Sequence, residues 1–108
     1  MLPQHNRLRT SADFESLVRT GRKVVRPSLI LYARESHTAR LGLIVSKAVG
    51  PAVARNRTKR ILRHQACELM ASDQHMDVVV RVLGPAPSQR LREDFHSAWV
   101  QAESQVHP

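Results

Sequence analysis

The chain is short of cysteine, of acid and of long apolar runs, and each shortage removes a class of function. Cys67 is the only cysteine in 108 residues, which excludes an internal disulfide and a cysteine-rich zinc site. No apolar run approaches the roughly 20 residues that span a bilayer, and no apolar block follows His5, Arg7 and Arg9 to make a secretion signal. The protein is therefore expected to be soluble and intracellular, without a membrane partner. Only nine Asp and Glu are present, and Asp13, Glu15, Asp73 and Asp77 are too dispersed for a two-metal nuclease site. The six histidines lack metal-ligand spacing. With no internal repeat and no linker beyond the short Gly84-Pro85-Ala86-Pro87, residues 1–108 read as one domain.

What is abundant is positive charge. Seventeen Lys and Arg give a formal charge of +8 and a pI near 11.3, a balance that predicts a polyanionic partner. Fourteen of these are arginines, whose planar forks pair with phosphate and stack on bases. The charge is uneven: residues 1–64 sum to +11 and residues 65–108 to −3. A binding surface is expected in the first two thirds, and scaffold in the last.

Periodicity and breakers predict a helix over Ser11 to Thr20, capped by Thr10 or Ser11, with Phe14, Leu17 and Val18 on one face and Gly21 after its end. Two strands, Leu29 to Arg34 and Arg40 to Ser46, read as a hairpin about a polar Glu35 to Ala39 turn. Gly50-Pro51 opens a long helix to about Met70. A turn at Ser72-Asp73-Gln74 leads to a strand over Asp77 to Leu83. From Ser88 a last helix carries Leu91, Phe95, Ala98, Trp99 and Ala102 as a core stripe. The expected fold class is α/β, an α+β sandwich: a small mixed sheet covered by helices in the order α-β-β-α-β-α, with the two strands joined by the long helix parallel.

The long helix carries the chemistry. At about 100° per residue, Arg55, Lys59, Arg63 and Asn56 fall within a ~100° arc, and Arg57 and Arg60 widen it. Ala54, Thr58, Ile61, Leu62, Gln65 and Leu69 fall opposite. No acid interrupts this face before Glu68, and like charges four apart weaken a helix by about 0.2 to 0.5 kcal/mol a pair. Stability does not explain such a face, because solvated faces mix signs. The opposite side lacks the bulk of an interfacial membrane helix, so RNA or DNA is the expected partner, with His64 at the border of the contact.

The run Leu43-Ile44-Val45-Ser46-Lys47-Ala48-Val49-Gly50-Pro51-Ala52-Val53-Ala54-Arg55-Asn56-Arg57-Thr58-Lys59-Arg60 closely resembles the signature of the bacterial ribonuclease P protein subunit. Asn6-Arg7-Leu8-Arg9 before Ala12-Asp13-Phe14, and Asp77 to Val80, resemble that family's N-terminal segment and last strand. The resemblance implies a left-handed crossover between the parallel strands, against the general rule. It implies a protein that binds a catalytic RNA and the 5′ leader of precursor transfer RNA, and so promotes endonucleolytic removal of the leader. Catalysis is then expected from the RNA, with Mg2+ held mainly by it, no protein catalytic residue and no stable protein partner. Carried over, Arg55, Asn56, Arg57, Lys59, Arg60 and Arg63 become the surface for the RNA subunit. Phe14, Tyr32, Ser46 and Lys47 become the leader cleft, in which an aromatic face accepts any base for about 1 to 3 kcal/mol.

Read without the resemblance, Phe14 and Tyr32 are equally plausible as core residues. The chain also departs from the family's pattern. Val18 stands where a second phenylalanine is frequent, Ala48 where a lysine is common and Pro51 where an asparagine is. Leu83 replaces a frequent basic residue, for which Arg81, on the same strand face, is expected to substitute. A general basic RNA-binding module such as a ribosomal protein shares the composition but not the Ser46 to Arg60 signature. A nuclease acting alone lacks the carboxylates.

Overall fold

Met76–Val82 is buried at every position except Arg81, and a strand of that kind belongs in the middle of a sheet, where both edges pair and both faces are covered. The computed structural model describes residues 7, 8, 10–70 and 75–107. Its elements are α1 (Ser11–Thr20), β1 (Arg22–Val25), β2 (Leu29–Glu35), β3 (Arg40–Val45), a 3-10 turn (Lys47–Val49), α2 (Ala52–Leu69), β4 (Met76–Val82) and α3 (Ser88–Val106). The strands form one mixed sheet in the order β1-β2-β4-β3. β4 is antiparallel to β2 and parallel to β3, as expected of strands joined by a helix. Asn6, Arg9 and the turn expected at Ser72-Asp73-Gln74 lie outside the described residues.

Two expectations are corrected. β2 and β3 do not pair as a hairpin; β4 lies between them, because its apolar residues gain more from the centre than the polar Glu35 to Ala39 turn gains from closing. The hairpin is instead β1–β2, with Val25 opposite Ile30 and Arg26 N donating to Leu29 O at 2.9 Å. β1 escapes the sequence pattern because it is four residues long and buries only Val24. Pro27 is in the hairpin turn. Arg26 fixes that turn to α3, its Nε donating to Ser97 Oγ at 2.9 Å and its Nη2 to Gln101 Oε1 at 2.7 Å.

One sheet face forms the main core. Leu29, Leu31 and Ala33 of β2, Val78, Val80 and Val82 of β4 and Leu41 of β3 pack with Leu62 and Ala66 of α2 and the α3 stripe. That stripe is the one the periodicity predicts, and within it Phe95 meets Trp99 edge to face at 5.7 Å. Asp94 joins it: buried, it accepts from Ser28 N at 3.0 Å and Ser28 Oγ at 2.6 Å and so satisfies its own carboxylate.

Candidate nucleic-acid interface

The second sheet face reads as rows across the strands. From the register, the row at one end is Arg34, Asp77 and Arg40; the next is Lys23, Tyr32, Val79 and Gly42; the third is Val25, Ile30, Arg81 and Ile44. In the end row Asp77, 1% exposed, accepts from Arg40 Nε at 3.0 Å and Nη2 at 2.7 Å. Arg34 Nη2 stands 3.8 Å from the same carboxylate. The hydrogen bonds to Asp77 raise the Arg40 pKa, outweighing its partial burial. These groups hold one another, and the end row is structural.

Helix α1 covers the first two rows and leaves the third open. Thr10 caps it, Oγ1 accepting from Asp13 N at 3.2 Å. Gly21 closes it with N donating to Leu17 O at 2.7 Å. Gly21 is extended, with φ −76°, so what it supplies is space: a Cβ there would lie 2.6 Å from Leu17 O. Leu17 is fully buried with Leu8, Tyr32 and Val79, and Ser16 receives a hydrogen bond from Arg34 Nη1 at 2.9 Å. Ser16 thus faces the end row. Phe14 and Val18, each about 200° round the axis from Ser16, turn away from the end row.

The aromatic residues assigned to the cleft differ in what they present. Phe14 is half-buried, its ring tip seated over Gly42, where a Cβ would come within 2.6 Å of Cζ. That approach is why β3 carries glycine there. Tyr32 is only 6% exposed and packs beneath α1, so it supports the cleft floor and offers no ring face to a ligand. Ser46 and Lys47 are exposed at the end of β3. Ser46 Oγ accepts from Ala48 N at 3.3 Å and so caps the short turn into α2. Gly50 supplies the positive φ of 138° that this turn requires. Pro51 then caps α2 without a side-chain hydrogen bond.

The basic helix is rotated from the face drawn by periodicity. Thr58, Leu62 and Ala66 are its buried residues, a line shifted by about 50° toward Arg55 on the helical wheel. The cations are thereby split. Asn56, Arg57 and Arg60 are exposed on the outward side, while Arg55, Lys59 and Arg63, one turn apart, are half-buried on the flank beside the sheet. Arg63 reaches a pocket of about 280 Å³ with Arg7, Leu8, Phe14, Leu41 and Leu43. Burial, and then the neighbouring Arg7 charge, lower its pKa. Arg55 Nε is buried without a hydrogen-bond partner among the described residues. His64 is exposed on the outward side beside Glu68.

The face so assembled is cationic, with Arg81 and Lys23 on the sheet, Lys47 at its end and the half-buried stripe of α2 beside it, while the outward stripe makes a second basic surface. Arg81 is exposed at the centre of the open row, where strand parity put it; its isolation among aliphatic side chains needed the register. Among the described residues no group of three or more His, Cys, Asp or Glu gathers to hold a metal, and no helix is long and apolar enough to cross a membrane.

Comparison with known proteins shows the family and the fold. The Ribonuclease P family pattern matches residues 2–103. The ribonuclease P protein component of Kocuria rhizophila is 44% identical over 104 residues, covering 91% of this chain and 92% of that protein. That of Rhodococcus erythropolis is 46% identical, covering 86% and 82%. Among solved structures, the ribonuclease P protein of Staphylococcus aureus superposes with a TM-score of 0.79 at 25% identity, over 95% of this chain and 93% of that one. The protein from Thermotoga maritima shares the fold, with a TM-score of 0.74 at 21% identity, over 88% and 96%. With its signature on the strand end, turn and helix that form the cationic face, the chain belongs to the ribonuclease P protein family.

Proposed function

We infer that this protein binds the catalytic RNA of ribonuclease P through the outward stripe of α2 and holds the 5′ leader of precursor transfer RNA between α1 and the open row of the sheet. The observation that carries this is the division of the α2 cations. Asn56, Arg57 and Arg60 face away from the sheet, as a docking surface for a large folded RNA does. Arg55, Lys59 and Arg63 lie on the half-buried flank beside the sheet, where Arg63 shares a pocket with Phe14 and the three suit the phosphates of a single strand.

The protein's contribution is binding. Its cations neutralise phosphates that would otherwise repel in the assembled complex, and the cleft raises the affinity for substrates that carry a leader. The reaction is endonucleolytic hydrolysis, which we assign to the RNA with magnesium held mainly by it. A cytoplasmic location follows from that partnership.

Cleavage of a 5′-labelled precursor transfer RNA by protein alone, by a bacterial ribonuclease P RNA alone and by both tests this reading. Activity at moderate magnesium that appears mainly with both supports it. Cleavage by protein alone overturns it, and no enhancement with a matched RNA favours a general RNA-binding module.

A further inference from the structure

All four aromatic residues of the chain are placed, and they leave the cleft poor in rings. Phe95 and Trp99 are in the main core, Tyr32 is 6% exposed and Phe14 is half-buried over Gly42. A single strand of any sequence is held by stacking of its bases as well as by its phosphates, and one half-covered ring stacks one base. A second planar group stands on the sheet. Arg81 is the only exposed residue of β4. Its direct neighbours across the ladder, Ile30 and Ile44, are aliphatic.

The floor continues to Val25, 57% exposed, beside Ile30. Among the described residues Arg81 has no ion-pair or hydrogen-bond partner. An arginine laid over aliphatic side chains keeps its guanidinium plane open on the far side, where it stacks on a base while its edge donates to phosphate. A lysine at the same place offers charge without a plane.

We propose that Arg81 is the second stacking platform of the cleft, binding a base of a single-stranded RNA segment through its guanidinium plane in a place where this chain presents no aromatic ring. The segment is the substrate leader, so the proposal rests on the leader-binding reading above. It assigns leader recognition to the centre of the sheet as well as to the α1 flank. Because the platform is planar and bare of sequence-reading groups, it tolerates any base and loses to an abasic site.

The test uses the reconstituted holoenzyme with wild-type protein, Arg81→Lys and Arg81→Met, and measures affinity for a precursor with a long leader, one with a single-nucleotide leader, and long leaders carrying one abasic site at successive positions. Arg81 is exposed, and an unchanged melting temperature confirms that both variants are folded. The expected result is that Arg81→Lys weakens long-leader binding about fivefold or more and leaves single-nucleotide-leader binding alone. One abasic position should weaken the wild type and have no further effect on Arg81→Lys. Arg81→Met should in addition lower the salt slope by about 0.7.

If Arg81→Lys binds like wild type while Arg81→Met is weakened, Arg81 supplies charge only and the stacking proposal is overturned. If both variants retain wild-type affinity for long leaders, the strand does not cross the open row and the proposal is again overturned, with leader binding intact. If the wild type itself binds long and short leaders equally, the leader-binding reading fails and takes this proposal with it.

Discussion

The two faces of the sheet are built from the same strands and have opposite characters. Toward α3 and α2 lie Leu29, Leu31, Ala33, Val78, Val80 and Val82, sealed by Trp99 and Phe95. Toward α1 lie an arginine–aspartate row, a row under Leu17 and Phe14, and a row left open with Arg81 at its centre. Strand alternation puts consecutive residues on opposite sides, so the buried Val80 and the exposed Arg81 are neighbours in sequence on faces of opposite character. Stability is therefore concentrated on the α3 face and the proposed binding on the other, and the two should be separable by mutation.

The largest break in that comparison is at the α3 face. Trp99→Ala should cost about 3–5 kcal/mol, and a melting curve followed by circular dichroism should show the chain unfolded or nearly so, with RNA binding lost as a consequence. Next is Asp77→Ala on the α1 face, which leaves Arg40 and Arg34 without their shared acceptor. Both arginines are about a third exposed, at 32% and 33%, so water takes up part of the loss, and about 1–3 kcal/mol is expected in urea unfolding. A loss as large as that of Trp99→Ala would mean that the α1 face also carries the fold.

Gly42→Ala sharpens the comparison, because its new Cβ must displace the Phe14 ring. It should cost about 1–3 kcal/mol and weaken long-leader substrates more than single-nucleotide-leader ones. Smallest in stability is the double change Arg57→Ala and Arg60→Ala, expected to shift unfolding by no more than about 0.5 kcal/mol. It should weaken binding of the ribonuclease P RNA and flatten its salt slope by about 0.9 for each arginine that contacts a phosphate. An unchanged slope would move the RNA-subunit surface away from the outward stripe.

Much of this molecule was legible in one dimension. α1, α2 and α3 are within a residue of their expected spans where boundaries were given, because caps and breakers act locally: Thr10, Gly50-Pro51 and the Leu91 to Ala102 stripe each state their case within a few residues. The basic signature was legible as well, since a run of like charges on one helix has no local reason to exist. β1 and the strand order were not. A four-residue strand burying one valine has no period to detect, and whether β2 pairs with β3 or with β4 is a competition between segments far apart in sequence. Tyr32 was legible only as ambiguous, because alternation assigns a side to a residue and does not say whether a helix covers it.

The sequence by itself determined the helices, the parallel relation of β3 and β4, the cationic character of the first two thirds and the family, all of which follow from local spacing or from the order of residues. The tertiary structure alone decided that β4 is central, that α2 is turned so its cations divide between two surfaces, and that α1 leaves one row of the sheet uncovered. The physical reason is the same in each case. These features are set by which apolar surfaces bury one another across the fold, and hydrophobic burial is non-directional, so its outcome depends on every competing surface at once.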